Sequence, residues 1–484
     1  IQIYMNTQFK EKQFFPSTKV LPPPYHTLEH DGICFVYDTS NCVLFRVDHL
    51  TKEFLDFCLK YPFEEAKKRF LRKNVSDLEV CENIFNEVEI MAQHGLFTQP
   101  DYTLTPEKFQ HLLDERYSRA WNKLELALSE SCNLACKYCY CATSRDMPSK
   151  GLMTEQVARM AITWLFAFSG KSEQVSITFF GGEPLLNKPV IRFSLEYSQH
   201  LAKLHGKKVF YSMTTNGTLL DDEIIGYIKK YNFGLMVSLD GPQKLHDKQC
   251  PTQGGKGSYE MAVKGIKRLM ARRRAVTVRG TMVHPLPNMM ELIKFYEDFG
   301  FTRIVLGKAI NSVNASPVDC DNSDFEEYFK QEDKVLIPWI LNKLENGENP
   351  KYYPYNNIVR DLENGGFSPN VSPFHCGACR GTSTVGADGK LYPCHRFGGM
   401  KEWQIGDIFD GPDYNKCKEF WKKYYEIVSQ KCASCWLWSI CKGPCPWEIA
   451  NADGTFRDPV FCDRMEQFVK KAFYVYYKKS LFSK

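Results

Sequence analysis

The stretch LELALSESCNLACKYCYC, residues 124–141, passes from an apolar segment into a loop that holds four cysteines. The apolar part, 124–129, predicts a buried strand, because short apolar runs that end at polar residues are typical of strands. Cys132, Cys136 and Cys139 follow with the spacing C-x3-C-x2-C. Three thiolates on one loop can hold three irons of a four-iron cluster and leave the fourth iron free. A structural zinc site, by contrast, normally takes four protein ligands.

The distribution of the 19 cysteines points to metal binding rather than disulfides. Four lie in 132–141 and nine in 376–462, and clustered cysteines in a reducing compartment usually bind metal. Cys141 follows Cys139 by only two residues and would crowd the same cluster, so we expect it not to be a ligand. We expect the six scattered cysteines to be small buried apolar side chains; these are Cys34, Cys42, Cys58, Cys81, Cys250 and Cys320.

Length, charge and hydropathy limit the possible classes of protein. The 484 residues suggest about three domains. The net charge of +5 is small for this length and favours neither a nucleic acid nor a membrane surface as a partner. We find no secretory signal and no apolar run of about 18 residues. The sequence therefore predicts a cytoplasmic protein.

Six apolar segments alternate with helical stretches between residues 121 and 310. This alternation predicts an α/β fold with a parallel βα array, closed wholly or partly as a barrel. A helix is predicted over 154–168, with Thr154 as its N-cap. The strand candidates are 124–129, 175–184, 209–218, 233–242, 275–283 and 302–310.

The remaining segments predict smaller units around this array. Residues 1–100 combine two strands within 31–48 with two helices, which indicates a small α+β domain of winged-helix-like pattern. The other predicted segments are a linker at 101–120, the array at 121–310, a connecting region at 311–370, a cysteine-rich unit at 371–465 and a C-terminal helix at 466–484.

Glycine-containing motifs lie at the ends of consecutive strand candidates, where βα arrays gather their chemistry. GGEP stands at 181–184, TNGT at 215–218 and SLDGP at 238–242. With CNLACKYC at 132–139, GGEP and SLDGP resemble the motifs of the radical S-adenosylmethionine (SAM) enzymes. The resemblance covers roughly residues 121–310 and implies a partial (β/α)6 barrel.

The resemblance also implies a cofactor and its ligands. Cys132, Cys136 and Cys139 would hold a [4Fe–4S] cluster whose open iron chelates SAM, which is then cleaved to a 5′-deoxyadenosyl radical that abstracts a substrate hydrogen. The protein's own share is positioning and the exclusion of side reactions. Glu183 would lie at the methionine amino group, and Ser238 at the carboxylate or ribose. The full implied cofactor-binding set is Tyr138 (against the adenine), Gly181, Gly182, Glu183, Asn216 and Ser238.

One departure from the family pattern concerns the cofactor's carboxylate. Related maturases usually carry an arginine about twelve residues after the SLDGP serine, where this sequence has Cys250. A thiol cannot replace the bidentate pairing of a guanidinium with a carboxylate. Either another cation, such as Lys248 or Arg279, supplies the charge, or the cofactor is held less tightly.

The C-terminal cysteines form a second pattern. Cys376 and Cys379 precede Cys394, and then follow Cys432-x2-Cys435-x5-Cys441-x3-Cys445 and Cys462. Taken alone, the pattern leaves open a pair of structural zinc sites. Behind a radical SAM domain it resembles the SPASM extension, which carries two auxiliary [4Fe–4S] clusters. That resemblance assigns Cys376, Cys379, Cys394 and Cys445 to an inner cluster and Cys432, Cys435, Cys441 and Cys462 to an outer one.

Two points within this pattern stay open. Many relatives have CGAG where this chain has CGAC at 376–379, so both cysteines of that pair need not be ligands. If only one binds, the inner cluster keeps an open iron that can take a substrate thiolate. Cys417 belongs to neither set and is expected to be structural.

SPASM extensions go with peptide or protein substrates, so the resemblance implies a maturase of ribosomally made peptides. The 1–100 unit would bind the leader of a precursor peptide as an added strand, although a dimerisation or capping role is an alternative. An electron donor such as flavodoxin or ferredoxin is also implied. We expect thioether formation, as in sactipeptide and ranthipeptide maturases, and carbon–carbon or carbon–oxygen crosslinking is the alternative.

Sulfatase-maturase activity is disfavoured, because those enzymes have an aspartate base directly after the YPC cysteine, where this chain has His395. His395 and Asp240 are the candidate bases here. A non-enzymatic, zinc-stabilised binding protein is the remaining alternative.

Overall fold

The computed structural model describes residues 23–99, 106–139, 151–273, 275–309, 322–368, 372–374, 376–432, 434–450 and 462–482. The expectations for Cys141 and Cys320 concern residues outside these ranges. No described helix is long and apolar enough to cross a membrane.

The N-terminal unit is a three-stranded antiparallel sheet followed by three helices. The strands are β1 (Tyr25–His30), β2 (Ile33–Asp38) and β3 (Val43–Val47), and the helices are α1 (His49–Cys58), α2 (Phe63–Lys73) and α3 (Leu78–Gln93). A separate apolar core with Phe54, Phe70 and Phe85 at its centre joins the two layers. The small α+β domain is confirmed, with β1 and α2 added to the predicted elements.

The segment predicted as a linker contains a helix, α4 (Pro106–Ser118). Phe109 and Leu113 lie four residues apart on one face of α4, and both are buried. Phe109 stacks on Tyr425 with ring centroids 4.2 Å apart. The helix therefore ties the start of the barrel to the cysteine-rich unit. The domain boundaries themselves stay a prediction.

Six parallel strands form the centre of the fold, as predicted. In sheet order they are β4 (Lys123–Ser129), β5 (Gln174–Gly181), β6 (Lys208–Thr215), β7 (Gly234–Ser238), β8 (Thr277–Met282) and β9 (Arg303–Lys308). The helices between them are α5 (Glu155–Phe168), α6 (Lys188–His205), α7 (Asp222–Lys230), α8 (Gln243–Gln249), α9 (Tyr259–Met270) and α10 (Met289–Phe299). Thr154 caps α5 as expected, since its side chain accepts a hydrogen bond from the amide of Val157. The fold is an α/β partial barrel.

The cysteine-rich unit continues the barrel sheet. β10 (Thr384–Val385) pairs in parallel with β4, and β11 (Lys390–Tyr392), β12 (Gly406–Asp407) and β13 (Gly411–Pro412) follow as antiparallel strands. The result is a ten-stranded sheet. Strands of two or three residues leave no periodic signal in a sequence, which is why this continuity was not predicted.

The remaining helices are α11 (Asn322–Gln331), α12 (Ile337–Glu345), α13 (Asn356–Glu363), α14 (Tyr414–Cys432), α15 (Trp438–Cys441), α16 (Pro446–Ile449) and α17 (Cys462–Phe482). A π-helical turn, Glu332–Leu336, joins α11 to α12. Lys471 of α17 is buried against this turn and pairs with Glu332 at 3.1 Å. The Lys471 ammonium also donates to the carbonyl of Phe329 at 3.0 Å. This buried ion pair joins the C-terminal helix to the connecting region.

Replacing Lys471 by Met should destabilise the fold by about 3–5 kcal/mol, because a buried carboxyl group loses its partner. The matched control is Lys479→Met on the same helix, which breaks an exposed ion pair with Glu363 and should cost about 1 kcal/mol or less. Thermal unfolding of the two variants measures the difference. Equal shifts in Tm would contradict the buried pair's role.

Candidate active site

The loop of Cys132, Cys136 and Cys139 follows β4 and is held by main-chain hydrogen bonds. The amides of Ala135 and Lys137 donate to carbonyls of residues 251 and 249, at 2.7 and 2.9 Å. The side chain of residue 253 donates to two carbonyls of the loop, each at 2.9 Å. The segment after α8 therefore fixes the path of the cysteine loop.

The thiols of this loop suit an iron–sulfur cluster. All three are partly exposed. The amide of Leu134 lies 3.4 Å from the sulfur of Cys132, and the side-chain amide of Asn216 lies 3.8 Å from the same sulfur. Burial raises the pKa of the Cys132 thiol to about 12, so it ionises readily only beside a bound cation. Three thiols on one loop, one of which has two N–H donors directed at its sulfur, fit a cluster that is held by thiolates.

The GGEP turn lies directly against the cysteine loop. Gly181 has a φ of +127°. A Cβ on Gly182 would overlap the carbonyl oxygen of Ser131 and lie 3.0 Å from the nitrogen of Cys132. The amides of Gly182 and Glu183 donate to the carbonyls of Ser129 and Ser131 at 2.8 and 3.0 Å. Glycine is therefore required where the two loops meet.

Glu183 connects the turn to β6. Its carboxyl oxygens accept hydrogen bonds from the hydroxyl of Thr215 at 2.7 Å and from the amide of Asn216 at 2.8 Å. Burial raises the pKa of Glu183 to about 7. The side chain of Asn216 in turn donates to Asn133 at 2.9 Å. The structure thus brings Glu183 and Asn216 together with the cysteine loop.

Tyr138, Asp240 and Cys250 form a buried cluster beneath the loop. The Tyr138 hydroxyl donates to Asp240 at 2.7 Å, and the Cys250 sulfur lies 3.3 Å from the same carboxyl oxygen. The other oxygen of Asp240 accepts from the amide of Thr281 at 2.9 Å. Burial raises the pKa of Asp240, which is 2% exposed. Asp240 therefore anchors the loop to β7 and β8 and is not open to a substrate.

His246 completes this cluster but leaves no ring nitrogen for a metal. Ligand atoms of Asp240, His246 and Cys250 lie within 4.8 Å of one another. The amide of Asp240 donates to Nδ1 of His246 at 3.2 Å, so the ring carries its proton on Nε2. Nε2 lies 3.1 Å from the hydroxyl of Ser258. Both nitrogens are occupied by protein groups, which makes this cluster a support rather than a metal centre.

Ser238 and Arg279 are partners on adjacent strands, β7 and β8. Gly280 of β8 lies against Tyr296 of α10, so Arg279 and its partner Ser238 are on the opposite side of the sheet, which faces the interior of the barrel. The Arg279 guanidinium lies beside Gly307 and has no hydrogen-bond or ion-pair partner within the described part of the chain. Lys248 is an exposed residue of α8, outside the sheet.

A cleft separates the glycine turn from the cysteine-rich unit and encloses about 460 Å³, part of it open to solvent. Its lining includes Phe180, Gly182, Thr384 and His395. The His395 ring lies on Phe180 with centroids 4.4 Å apart, and its Nδ1 is 3.2 Å from the carboxyl group of Glu125. Thr384 donates to the same carboxyl group at 2.7 Å.

Sequence reasoning missed Glu125. The sequence indicated it only as a single acidic residue within the otherwise apolar strand LELALS. An acidic residue is rarely buried without polar partners. Here the partners are Thr384 of β10 and His395, which follows Cys394.

The C-terminal cysteines form two groups of neighbours. Burial, aided by the neighbouring thiols of Cys376 and Cys445, raises the pKa of Cys394 to about 12. Burial likewise raises the pKa of Cys441 to about 12, with Cys435 and Cys462 adding to the rise. The first group consists of residues assigned above to the inner set, and the second of residues assigned to the outer set. Which cysteines bind iron stays a prediction.

Residues 126–299 match the family model of the Radical SAM superfamily. The chain is 25% identical over 367 residues to a cysteine-type anaerobic sulfatase-maturating enzyme of Clostridium novyi (strain NT), covering 71% of this chain and 92% of that one. It is 24% identical over 370 residues to the radical SAM cyclopropyl synthase TigE of Paramaledivibacter caminithermalis, covering 72% and 73%.

Solved structures share the fold. The structure of anSMEcpe with bound AdoMet has a TM-score of 0.62 and 20% identity, and the match covers 74% of this chain and 98% of that one. Streptococcus suis SuiB bound to S-adenosylmethionine has a TM-score of 0.51 and 16% identity, with 91% and 99% covered. These likenesses confirm the α/β partial barrel.

Replacing Gly182 by Ala should prevent assembly of the first cluster, because the added methyl group overlaps Ser131 and displaces the cysteine loop. We expect a loss of about four irons per chain after anaerobic reconstitution, the content of one [4Fe–4S] cluster. Gly226→Ala is the control, since a Cβ at that helical position meets nothing within 4 Å. Full iron content in the Gly182 variant would refute this role of the turn.

Proposed function

We propose that the protein is a radical SAM peptide maturase that abstracts hydrogen from a ribosomally made precursor peptide and installs thioether crosslinks from cysteine sulfur to carbon. A [4Fe–4S] cluster on Cys132, Cys136 and Cys139 would supply the reductive cleavage of SAM to a 5′-deoxyadenosyl radical. Two further clusters would lie in the cysteine-rich unit. The chain's own residues bind and orient the substrate beside that chemistry.

The cleft beside the glycine turn is the observation that carries this proposal. One wall belongs to the barrel and carries Gly181 and Gly182, and the other belongs to the cysteine-rich unit and carries Gly398 and Gly399. These four glycines leave main chain at the surface of the cleft, beside the side chains of Phe180 and His395, where an extended peptide can approach it closely. Two of the solved relatives support a peptide, since anSMEcpe was solved with a Cp18Cys peptide and SuiB with its precursor peptide SuiA.

The N-terminal unit is suited to hold the leader of such a peptide. β1 packs against α17, whereas β3 pairs only with β2 within the described residues. An extended leader can add to the edge of β3 as a further strand. The unit is fixed to the cysteine-rich unit, since His26 stacks on Trp436 at 4.1 Å and Tyr37 hydrogen-bonds Ser439 at 2.7 Å. A leader at β3 would therefore have a constant position relative to the cleft.

His395 is the side chain that we place beside the substrate. A contact of 3.2 Å between its Nδ1 and the carboxyl group of Glu125 holds the ring on Phe180 at the surface of the cleft. Asp240 is the weaker candidate, because it is buried under the cysteine loop.

Arg279 is the cation that we assign to the SAM carboxylate. Cys250, which stands at the place of the family arginine, is 2% exposed and directed at Asp240. Arg279 lies next to Ser238 on the inner face and carries a guanidinium suited to a carboxylate. Lys248 lies on α8 and is the alternative.

Arg279→Gln should raise the dissociation constant of SAM for the anaerobic holoenzyme about 10- to 100-fold, the usual effect of losing a charge-assisted hydrogen bond. Lys248→Gln is the matched control and should leave SAM binding unchanged. Calorimetry measures both variants. A larger effect for the Lys248 variant would transfer the role to that residue.

A sulfatase-maturase-like oxidation is the second candidate, because the relative from Clostridium novyi carries that name over 71% of this chain. The histidine after Cys394 speaks against it, as does the Glu125 contact that fixes this histidine. Carbon–carbon or carbon–oxygen crosslinking uses the same hydrogen abstraction and differs only in the atom that is joined. A zinc-stabilised binding protein has little support beside a radical SAM domain.

The function is tested by co-expressing the enzyme anaerobically with short cysteine-containing peptides encoded beside its gene. Thioether formation predicts a loss of two hydrogens per modification and cysteines that no longer react with iodoacetamide. Mass spectrometry reads both. The same loss with every cysteine still reactive would replace thioether formation by carbon–carbon or carbon–oxygen crosslinking, and an aldehyde on a single residue would favour the sulfatase-maturase-like candidate.

A further inference from the structure

A glutamate, a cysteine and a histidine of the N-terminal unit lie together at one end of its sheet. The sulfur of Cys34 is 3.2 Å from Nδ1 of His49, and a carboxyl oxygen of Glu29 is 3.8 Å from the same nitrogen. One ligand atom from each of the three residues lies within 4.8 Å of the other two. None of the three belongs to the barrel or to the predicted cluster ligands, so the group is separate from the candidate active site.

The hairpin of β1 and β2 places Glu29 beside Cys34. Residues 31–32, which connect the two strands, have φ values of +50° and +70°, as in a type I′ turn, and such a turn fixes the register of a hairpin. In this register Glu29 is the direct partner of Cys34. Val36, two residues after Cys34, packs in the same apolar core as Phe54 of α1. Glu29 and Cys34 therefore lie on the face of the sheet that is turned towards α1.

The start of α1 brings His49 to this pair. Asp48 is the N-cap of α1, and its carboxyl group accepts hydrogen bonds from the amide and the hydroxyl of Thr51, each at 2.8 Å. This cap fixes the first turn of the helix, to which His49 belongs. The three side chains thus come from β1, β2 and α1, all of which have a defined position.

The distances within the group fit a tetrahedral zinc ion. Zinc at about 2.3 Å from sulfur and about 2.0 Å from nitrogen and oxygen holds its ligand atoms roughly 3.3–3.6 Å apart. The observed separations of 3.2 and 3.8 Å lie on either side of that range. Thiolate and imidazole are ligands that suit zinc, whereas magnesium and calcium take oxygen ligands.

His49 can bind a metal through Nδ1, unlike the histidine of the comparable group under the cysteine loop. In Asp240, His246 and Cys250, both ring nitrogens are occupied by protein groups. No main-chain amide of the described residues donates to Nδ1 of His49, whose neighbours are the thiol and the carboxyl group. Glu29 pairs with no lysine or arginine in the described part of the chain, so a metal ion would supply the missing positive charge.

One side of the group is open to water. The side chain of His49 is 66% exposed and that of Glu29 is 45% exposed, whereas Cys34 is 2% exposed. A zinc ion here would be held from the protein side by the thiolate and would have one position facing solvent. Three protein ligands with a fourth position for water is a common zinc arrangement.

We propose that Glu29, Cys34 and His49 form a zinc site whose fourth ligand is water. On binding, three bonds from zinc to protein atoms form, the thiol proton passes to solvent and zinc keeps its +2 oxidation state. The ion joins β1, β2 and the start of α1, and its binding energy adds to the stability of the N-terminal unit. The site lies outside the barrel and does not depend on the proposed function.

Metal analysis of the holoenzyme tests the site. After anaerobic reconstitution, the protein is incubated with zinc chloride, freed of excess metal by gel filtration and analysed for zinc and iron by mass spectrometry. His49→Gln should hold about one zinc per chain fewer than the wild type, with unchanged iron content. The matched control is His94→Gln, which changes another exposed histidine of the unit, one whose Nδ1 contacts the carbonyl of Ile90. It should keep the wild-type zinc content. Equal zinc in the wild type and in His49→Gln would overturn the site.

The ligands are identified on the wild-type holoenzyme, which needs no variant to fold. X-ray absorption at the zinc edge is specific to zinc, so the irons do not obscure it. We expect one sulfur at about 2.3 Å and three nitrogen or oxygen atoms at about 2.0 Å, and Cys34→Ser should lose the sulfur contribution. More than one sulfur per zinc would place the ion among the clustered cysteines and overturn the proposal.

Discussion

The contact between the GGEP turn and the cysteine loop is the constraint on which the site depends. The carbonyls of Ser129 and Ser131 accept hydrogen bonds from the amides of the turn, and no side chain fits between the main chain of the turn and that of the loop. The carboxyl group of Glu183 then fixes the turn to the end of β6, where it accepts hydrogen bonds from Thr215 and Asn216. The strand ends therefore hold the loop of the three thiols through backbone groups, which substitutions other than proline leave in place. The glycines that permit this approach are the vulnerable points.

A second buried network supports the loop from below. Tyr138 reaches Asp240, which in turn reaches the amide of Thr281, so the loop after β4 is joined to the ends of β7 and β8. Cys250 fits into this network as a small packed group. Cys250 therefore has a packing role in the structure, and Arg279 lies next to Ser238 on the neighbouring strand.

The central fold was readable from the sequence, because six apolar runs and their glycine turns leave strong local signals. Thr154 likewise indicated the start of α5, because threonine is a favoured N-cap residue. The features that could not be predicted from the sequence depend on tertiary contacts. β10 to β13 are too short to show a periodic pattern of apolar residues, and α4 buries only Phe109 and Leu113. The role of Glu125 depends on contacts with Thr384 and His395, which lie some 260 residues away in the sequence. Spacing also could not show that Cys379 is buried whereas Cys376 is partly exposed.

The pairing of β10 with β4 has a consequence for how substrates enter. One sheet runs through both walls of the cleft, so opening the cleft like a jaw would require breaking the hydrogen bonds between Thr384–Val385 and Glu125–Leu126. The sheet therefore holds the two walls in a constant relation to each other. For the peptide substrate proposed above, this favours entry as an extended segment before the substrate has acquired tertiary structure.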